Sequence, residues 1–368
     1  MNNQTTTRRR ILFVSTPVAP LGVGSQGGGV DTTLRYLIPT LVARGHKIAT
    51  VAPAGSVIEP QIRICQITGV RLLSNASAHT DSPVHVDGDG IVERMWDRAR
   101  AVQTEYDVII AKSFDWLSFY LTPFFIPPVL HWITLCAHLD VVTRMIVARY
   151  NVCPAQFGFY SKAQAETFSG IDATTARIIP GAVDADLFRF RSAPAPTPYL
   201  VWSARISPEK GLEDAVQVAN LVDMPLHVCG IIENEPYWQS VQRADTNGRI
   251  VYHGALPHDR LRDIIGNATA MLVTPKWVEA FGITVIEALA CGTPVIAYDQ
   301  GGPAEIIESE SSGILVPKND VGAMTRAVRT VGTISRQESR RRAENFTYEH
   351  MATRIEDWIE ANMATQSD

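Results

Sequence analysis

The chain has 368 residues, 46% of them hydrophobic and 19% charged, with 33 basic against 38 acidic side chains and a formal net charge of −5. At ~150 residues per domain this length predicts two domains, and the apolar content excludes a disordered chain. No basic excess is available to neutralise a phosphate backbone, which argues against nucleic acid as the main partner.

Short apolar runs alternate with helical patterns, the signature of βαβ units and parallel sheets. The first unit reads as a strand at 10–15, a glycine-rich loop to Gly29, a helix from about Asp31 to Arg44 and a strand at 47–52. Gly45 closes that helix as a left-handed cap would. The opening mimics a leader peptide for a few residues. Its apolar run at 11–14 is short and meets Pro17 and Pro20, so it reads as a strand instead. Further strands are predicted at 107–111, 129–135, 156–160 and 177–179, with polar residues 71–89 read as loop.

The uncharged stretch WLSFYLTPFFIPPVLHWITLCAHL reads as buried strand plus groove wall. No apolar segment reaches the ~18 residues that would span a bilayer, so a cytoplasmic protein without an integral membrane segment is expected. Five cysteines (Cys65, Cys136, Cys153, Cys229 and Cys291) form no CxxC, and no two lie closer than 17 residues in sequence. That spacing predicts free thiols rather than a disulfide framework or zinc site.

Residues 191–198, with SAPAPTP, read as an extended linker between domains. A second series of strands follows at 199–204, 226–229, 250–253, 270–273 and 294–297, each trailed by a helical pattern. Met351, Ile355, Trp358 and Ile359 then mark one amphipathic helix. The predicted architecture is α/β, two doubly wound domains at 1–190 and 191–345 plus a terminal helix at 346–368. Ligands in such sheets bind beyond the carboxyl ends of the strands.

Chemistry concentrates in three places. GVGSQGGGV contains G-x-G-x-x-G as Gly22, Gly24 and Gly27 directly after a strand. A dinucleotide site would also need an acidic residue ending the second strand, which instead reads TVAPAGS. The segment reads as a loop that lets backbone approach a ligand phosphate or sugar, or as a plain loop needing positive φ.

Arg205 and Lys210 follow the strand LVWSA in SARISPEKG. A guanidinium and an ammonium at a strand's carboxyl end suit a diphosphate; a solvated loop with a Glu209–Lys210 pair is the alternative. In TPKWVEAFGITVIEALACGTPVIA, Glu279 precedes a helix and Glu287 lies within it. Positions eight apart fall ~80° apart on a helix, roughly one side. Phe281-Gly282-Ile283 would present free amides at its N-terminus. Both glutamates together are hard to explain as surface, because a carboxylate among apolar neighbours needs a partner.

These features, with IPGAVDADLF at 179–188, resemble the retaining, nucleotide-sugar-dependent glycosyltransferases of family GT4 and the GT-B fold. The resemblance implies two Rossmann-like domains facing across a cleft, the first for acceptor and the second for donor. It implies that Arg205 and Lys210 bind the donor diphosphate. Glu279 with the amides from Phe281 through Gly282 and Ile283 to Thr284 would hold sugar and phosphate, and Glu287 the ribose. Backbone near Gly254, and at Gly28 and Gly29, would complete the donor contacts. His138, after a strand end, matches the position of a histidine that touches the donor sugar. The terminal helix would cross back to the first domain. IPGAVD stands where the family has IPNGVD, so the Asn-Gly turn is altered.

Within the family, STPVAPLG, FDWLSFYLTPFF and TPKWVEAFG look most similar to pterin α-glucosylating enzymes. This implies UDP-glucose as donor and tetrahydrobiopterin, or a related pterin, as acceptor, with Asp115 and Trp116 as candidate acceptor contacts. A capping Asp in a core FDW is the alternative at that site, and a lipid, sugar or polysaccharide acceptor the alternative overall. A dinucleotide-binding oxidoreductase is the rival from another class. No metal or other cofactor is expected: Asp87-Gly88-Asp89 imitates DxD but lies in a polar loop. His131 reads as a core residue, Trp277 as packing, and Arg340-Arg341-Arg342 as a solvated helix face.

Overall fold

In the computed structural model the described residues are 7–22, 28–72, 80–83, 88–307 and 311–364. The chain divides into two compact units: Met1–Pro180 with Tyr348–Asp368, and Gly181–Thr347. In the first unit the elements run β1 (Arg10–Val14), α1 (Gly28–Ala43), β2 (Lys47–Pro53), β3 (Arg63–Ile67), α2 (Ile91–Val102), β4 (Val108–Ala111), α3 (Trp116–Leu121), β5 (Val129–Trp132), α4 (Asp140–Tyr150), β6 (Phe157–Phe159), α5 (Lys162–Glu166) and β7 (Arg177–Ile178). The second unit contributes β8 (Leu200–Ser203), α6 (Leu212–Val222), β9 (Leu226–Cys229), α7 (Glu235–Ala244), β10 (Ile250–Gly254), α8 (His258–Asn267), β11 (Ala270–Val273), α9 (Ile283–Ala290), β12 (Val295–Tyr298), α10 (Gly302–Ile306), β13 (Gly313–Val316), α11 (Val321–Thr330) and α12 (Arg336–Ala343). The terminal helix α13 (Tyr348–Ala364) belongs to the first unit.

Both sheets are parallel. The first has order β3-β2-β1-β4-β5-β6-β7 and the second β10-β9-β8-β11-β12-β13. Each is a doubly wound order that reverses direction once, between β1 and β4 and between β8 and β11. Parallel strands are buried on both faces, which explains the continuous apolar runs of ILFV, VIIA and VIAY. Alternation still sorts the faces: Leu12 and Val14 join Met95 and Trp96 of α2 in one core cluster. A second cluster joins Ile146 of α4 to Phe157 and Phe159, and the second unit has one large cluster around Leu200, Trp202 and Leu272.

Several elements depart from expectation. The glycine loop's Gly24 and Gly27 lie outside the described residues, and so does Asp87; Asp89 pairs with Arg94. Residues 116–139 open with helix α3 rather than strand. Asp115 caps this helix by accepting from the Ser118 amide at 3.1 Å, and Tyr120, Phe124 and Ile126 face outward. Residues 191–198 are no free linker, because their backbone is tied to the second unit: Arg191 N–H donates to the Cys291 carbonyl and Ala195 N–H to that of Asn267. The division falls at Pro180/Gly181.

Arg340 and Arg342 are not a solvated face either. Arg340 donates to the carbonyls of Ala185, Phe188 and Ala290, and Arg342 to those of Glu305 and Ile306. Carbonyls ending helices have no intrahelical partner, so guanidinium forks satisfy them. Only Arg341 of the three is exposed.

Helix α13 buries Met351, Ile355, Trp358 and Ile359, as its spacing predicts, and Trp358 Nε1 donates to the Ala155 carbonyl at 2.7 Å. Ion pairs tie it to the unit as well: Arg44 with the exposed Glu349 and the buried Glu356, and Arg9 with Glu360. His131 is buried, shares a 2.7 Å hydrogen bond with Thr122 Oγ1, and is driven down to about 3 by burial, so its ring is neutral. All five cysteines are free thiols.

Candidate active site

The loops after β8 and β11 flank the point where the second sheet reverses order, the place at the carboxyl ends of the strands where open α/β sheets bind ligands. The β8 loop carries Arg205 and a 3₁₀ turn, Pro208–Lys210, which ends at Gly211 with φ +65°. A Cβ at Gly211 would run into the Thr274 carbonyl oxygen, so glycine is required for the two loops to touch. Thr274 Oγ1 accepts from Trp202 Nε1 at 3.1 Å and donates to the Gly211 carbonyl at 2.8 Å. Lys276 N–H adds a 2.8 Å bond to the Glu209 carbonyl. These contacts hold the two loops in fixed relation.

On that frame the Lys210 ammonium meets Glu279 Oε2 at 2.5 Å and sits 4.7 Å from the centre of the Trp277 ring. Trp277 Nε1 donates to the same carboxylate at 3.2 Å. Burial pulls the Glu279 carboxyl upward, but the charge and hydrogen bond of Lys210, the indole N–H and the charge of Arg205 outweigh it. The net shift is downward. Arg205 is held by Glu209 at 3.1 Å and by Glu233.

Immediately after Glu279 the chain turns into α9 through Gly282, φ +104°, and no side chain caps the helix. The first amides of α9, at Ile283 and Thr284, therefore have no side-chain acceptor at the cap. Such amides, with the helix dipole, favour an anion. Phe281 is buried. Glu287 lies within α9, 4% exposed, and burial pushes its carboxyl up to about 8.

Gly254 ends β10 with φ +69°, its carbonyl accepting from Gly230 N–H at 2.8 Å. The IPGAVD turn uses Gly181 for a steric reason: a Cβ there would press on the Phe281 ring at 2.5 Å. Asp184 then closes the turn by accepting from Asp186 and Leu187 amides.

In the first unit, Gly28 and Gly29 open α1, and Gly28 has φ +58°. Asp31 of the same turn accepts from Gly22 N–H at 2.6 Å. Asp115 and Trp116 follow β4, the carboxylate serving as the α3 cap while the Trp116 ring lies 6.0 Å from that of Tyr120. His138 is partly buried between β5 and α4.

Three groups in the second unit take part in the site beyond what the sequence reading gave them. Gly301 and Gly302 cradle the Glu279–Phe281 turn. Gly302 N–H donates to the Glu279 carbonyl at 2.8 Å, and a Cβ at Gly301 would stand 2.6 Å from that oxygen. Asp214 gathers Lys276 and the Tyr298 hydroxyl. Trp277 is a donor to the site, not packing alone. The GGP after a strand was the available signal for the glycines. The Asp214 network joins positions 62 and 84 apart, which no local spacing reports.

Residues 184–350 match the family model for glycosyl transferases group 1. The chain is 34% identical over 147 residues to 2-deoxystreptamine N-acetyl-D-glucosaminyltransferase of Streptomyces fradiae, covering 38% of this chain and 35% of that one. It is 30% identical over 173 residues to D-inositol 3-phosphate glycosyltransferase of Jonesia denitrificans, covering 42% and 41%. Less than half the length of either relative is therefore matched. The fold is similar to sucrose-phosphate synthase of Thermosynechococcus elongatus, with TM-score 0.77, 20% identity, and coverage of 97% of this chain and all of that one.

The match to the group 1 glycosyl transferase model thus falls almost wholly in the second unit, and the two parallel-sheet α/β units match the GT-B fold of solved glycosyltransferase structures. Among the described residues no helix is long and apolar enough to cross a membrane.

Proposed function

We propose that the chain is a retaining glycosyltransferase that moves glucose from UDP-glucose to a hydroxyl of a small soluble acceptor, tetrahydrobiopterin or a related pterin. The observation that carries the donor half is the Lys210–Glu279–Trp277 cluster beside the uncapped start of α9. An arriving diphosphate takes the place of Glu279 as partner of Lys210, while Arg205 and the α9 amides share its remaining charge. Glu279 is released to accept from sugar hydroxyls. Gly254 backbone and Glu287 serve the nucleoside, and Gly28 and Gly29 offer amides to the ligand.

In the reaction the bond from the anomeric carbon to the diphosphate oxygen breaks, and a bond to the acceptor oxygen forms on the same face. The acceptor proton passes to the departing phosphate oxygen. The protein contributes position and charge stabilisation rather than a nucleophile, and the cations in this reading are side chains. His138 lies on the sugar side of the reading, and Asp115 and Trp116 on the acceptor side.

Two observations widen the acceptor panel. The matched relatives are named for a cyclitol amine and an inositol phosphate, and Tyr120, Phe124 and Ile126 give an exposed apolar run that a lipid acceptor would use. The test is UDP release from UDP-glucose with tetrahydrobiopterin, 2-deoxystreptamine, D-inositol 3-phosphate and lipid vesicles. Release driven by the pterin supports the full reading. Release with the others alone overturns the acceptor and keeps the enzyme class. NAD(P)H fluorescence change with no sugar-nucleotide turnover would replace the class.

A further inference from the structure

The residues that lead into β8 and those of α8 enclose a pocket of about 280 Å³, lined by Arg189, Phe190, Arg191, Arg262 and Asp263. All five belong to the second unit. Arg191 is bonded to Cys291 and Asn267, which stand just ahead of β12 and β11, so the pocket lies toward the amino ends of the strands. Arg205, Lys210 and Glu279 follow the carboxyl ends of β8 and β11, at the opposite ends of the same strands.

Two glycines make room for this wall. A Cβ on Gly266 would stand 2.8 Å from the Arg191 side chain, and one on Gly292 would press on the Phe190 ring at 2.8 Å. The carbonyls of Gly266 and Arg191 both accept from Arg336, whose guanidinium is buried directly behind. Arg336 is met by three carbonyls and the Thr293 hydroxyl, and by no carboxylate among the described residues. Burial chiefly, and also the charge of Arg191, pulls it down to about 10.

The charge of the lining is not balanced. Among the described residues Asp263 is its one carboxylate, and Arg191 Nη2 at 2.8 Å and Arg262 Nε at 3.2 Å share the same oxygen of it, Oδ1. Arg189 Nε donates to the Asp186 carbonyl at 3.1 Å, which leaves both its Nη groups for a ligand. Three guanidinium groups against one carboxylate give the lining a charge of +2, before Arg336 is counted.

Like charges gathered this way repel, and an anion among them relieves the repulsion. Guanidinium forks match the paired oxygens of a phosphate, and a phosphate monoester carries close to two negative charges above its second pKa near ~6. The pocket has room for roughly nine waters at ~30 Å³ each, more than a bare phosphate fills. Its remaining wall is Phe190, 37% exposed, an apolar face for an organic group.

We propose that this pocket binds a small phosphate monoester, with the phosphate held by Arg189, Arg191 and Arg262 and the organic group against Phe190. The site is separate from the donor reading above and does not rest on it.

The test is calorimetric titration of the full chain with phenyl phosphate and with inorganic phosphate, at about pH 8 so that both are dianions, and at low salt. Both probes bind at one site per chain, phenyl phosphate about three- to tenfold more tightly. Arg189→Gln and Arg262→Gln each weaken both probes by about tenfold or more, the worth of a charged hydrogen bond. Asp263→Asn does the opposite and tightens them by about threefold, because the competing anion is gone. Arg341→Gln, at an exposed arginine outside the pocket, and Lys210→Ala, on the donor side, change neither affinity by more than about twofold. Arg189 is exposed and bonds a single carbonyl, so its variant keeps the fold, and an unliganded Tm within about 2 °C of the parent checks this.

No saturable heat with phenyl phosphate, or affinities that both arginine variants leave unchanged, overturns the proposal. Binding lost in Lys210→Ala but kept in the arginine variants would put the phosphate in the donor site and overturn it too. Equal affinity for the two probes overturns the organic half and leaves a site for inorganic phosphate. UDP release is measured apart from these titrations, so the donor reading stands or falls separately.

Discussion

The two sheet-reversal points use cations in opposite ways. In the second unit Arg205, Lys210 and Lys276 are partly exposed, and each is engaged by a carboxylate. In the first unit Lys112 is fully buried and no carboxylate pairs with it among the described residues. A partly exposed ion pair can be exchanged for a ligand's charge, because one Coulombic partner replaces another in a wet site. An amine sealed under two rings, with no carboxylate partner to give up, has no such exchange available. On the reading proposed above, ligand charge falls to the second unit, and the lysine of the first is part of the packing.

The sharpest way to break this comparison is Lys210→Ala. Removing one charge-stabilising donor costs ~10²–10³ in kcat in well-studied sites, and UDP release in steady state would show it. A rate within a few-fold of the parent would end the diphosphate assignment. Glu279→Gln leaves Lys210 without its anion but keeps the indole hydrogen bond, and a fall of about ten- to a hundredfold in kcat/KM is expected, checked with the same assay.

Gly302→Ala tests the cradle rather than the charges. A new Cβ would overlap the Phe281 backbone, and such overpacking costs about 1–3 kcal/mol. For a unit of this size that lowers Tm by roughly 2–10 °C, read by calorimetry.

Glu287 gives a pH test. Its carboxyl is raised in the folded state to about 8 from an ordinary 4.5. The folded state therefore binds the proton more tightly, and the contribution is complete below 4.5 and lost as pH climbs through 8. Glu287→Gln should match the parent's Tm near pH 4.5 and exceed it increasingly up to about pH 8, with a plateau beyond. The smallest effect is expected for Asp115→Asn, since asparagine caps a helix as well as aspartate does. Tm should move by about 2 °C or less, and a rise in acceptor KM alone would bring the first unit's loop into substrate binding.

Much of the fold is legible in the sequence because parallel strands write themselves as uninterrupted apolar runs such as ILFV and VIIA. Strand β3 escaped notice because RICQI is an edge strand only half buried, with Arg63 and Gln66 outward. The prolines of 191–198 look like a linker in one dimension. Two backbone hydrogen bonds to residues 72 or more positions away decide otherwise, and no composition rule sees them. The donor side was readable where charge and glycine fall within one loop, as with Arg205 and Lys210 or Glu279 and Gly282. The buried amine was not, since a lone Lys112 in AKSFDW looks like any surface lysine until Trp132 and Tyr160 close over it.

The assignment of α13 to the first unit has a consequence for synthesis. Residues 181–347 form a continuous unit with all its strands in hand as soon as they have left the ribosome. The first unit is discontinuous. Until the last turns emerge, Gly158 lacks the Trp358 ring that covers it, and the Ala155 carbonyl lacks both the Trp358 and the Asn362 donors. The part of the chain made first is thus the part that closes last, and a nascent chain paused before residue 348 would hold a finished second unit beside an unsealed first one.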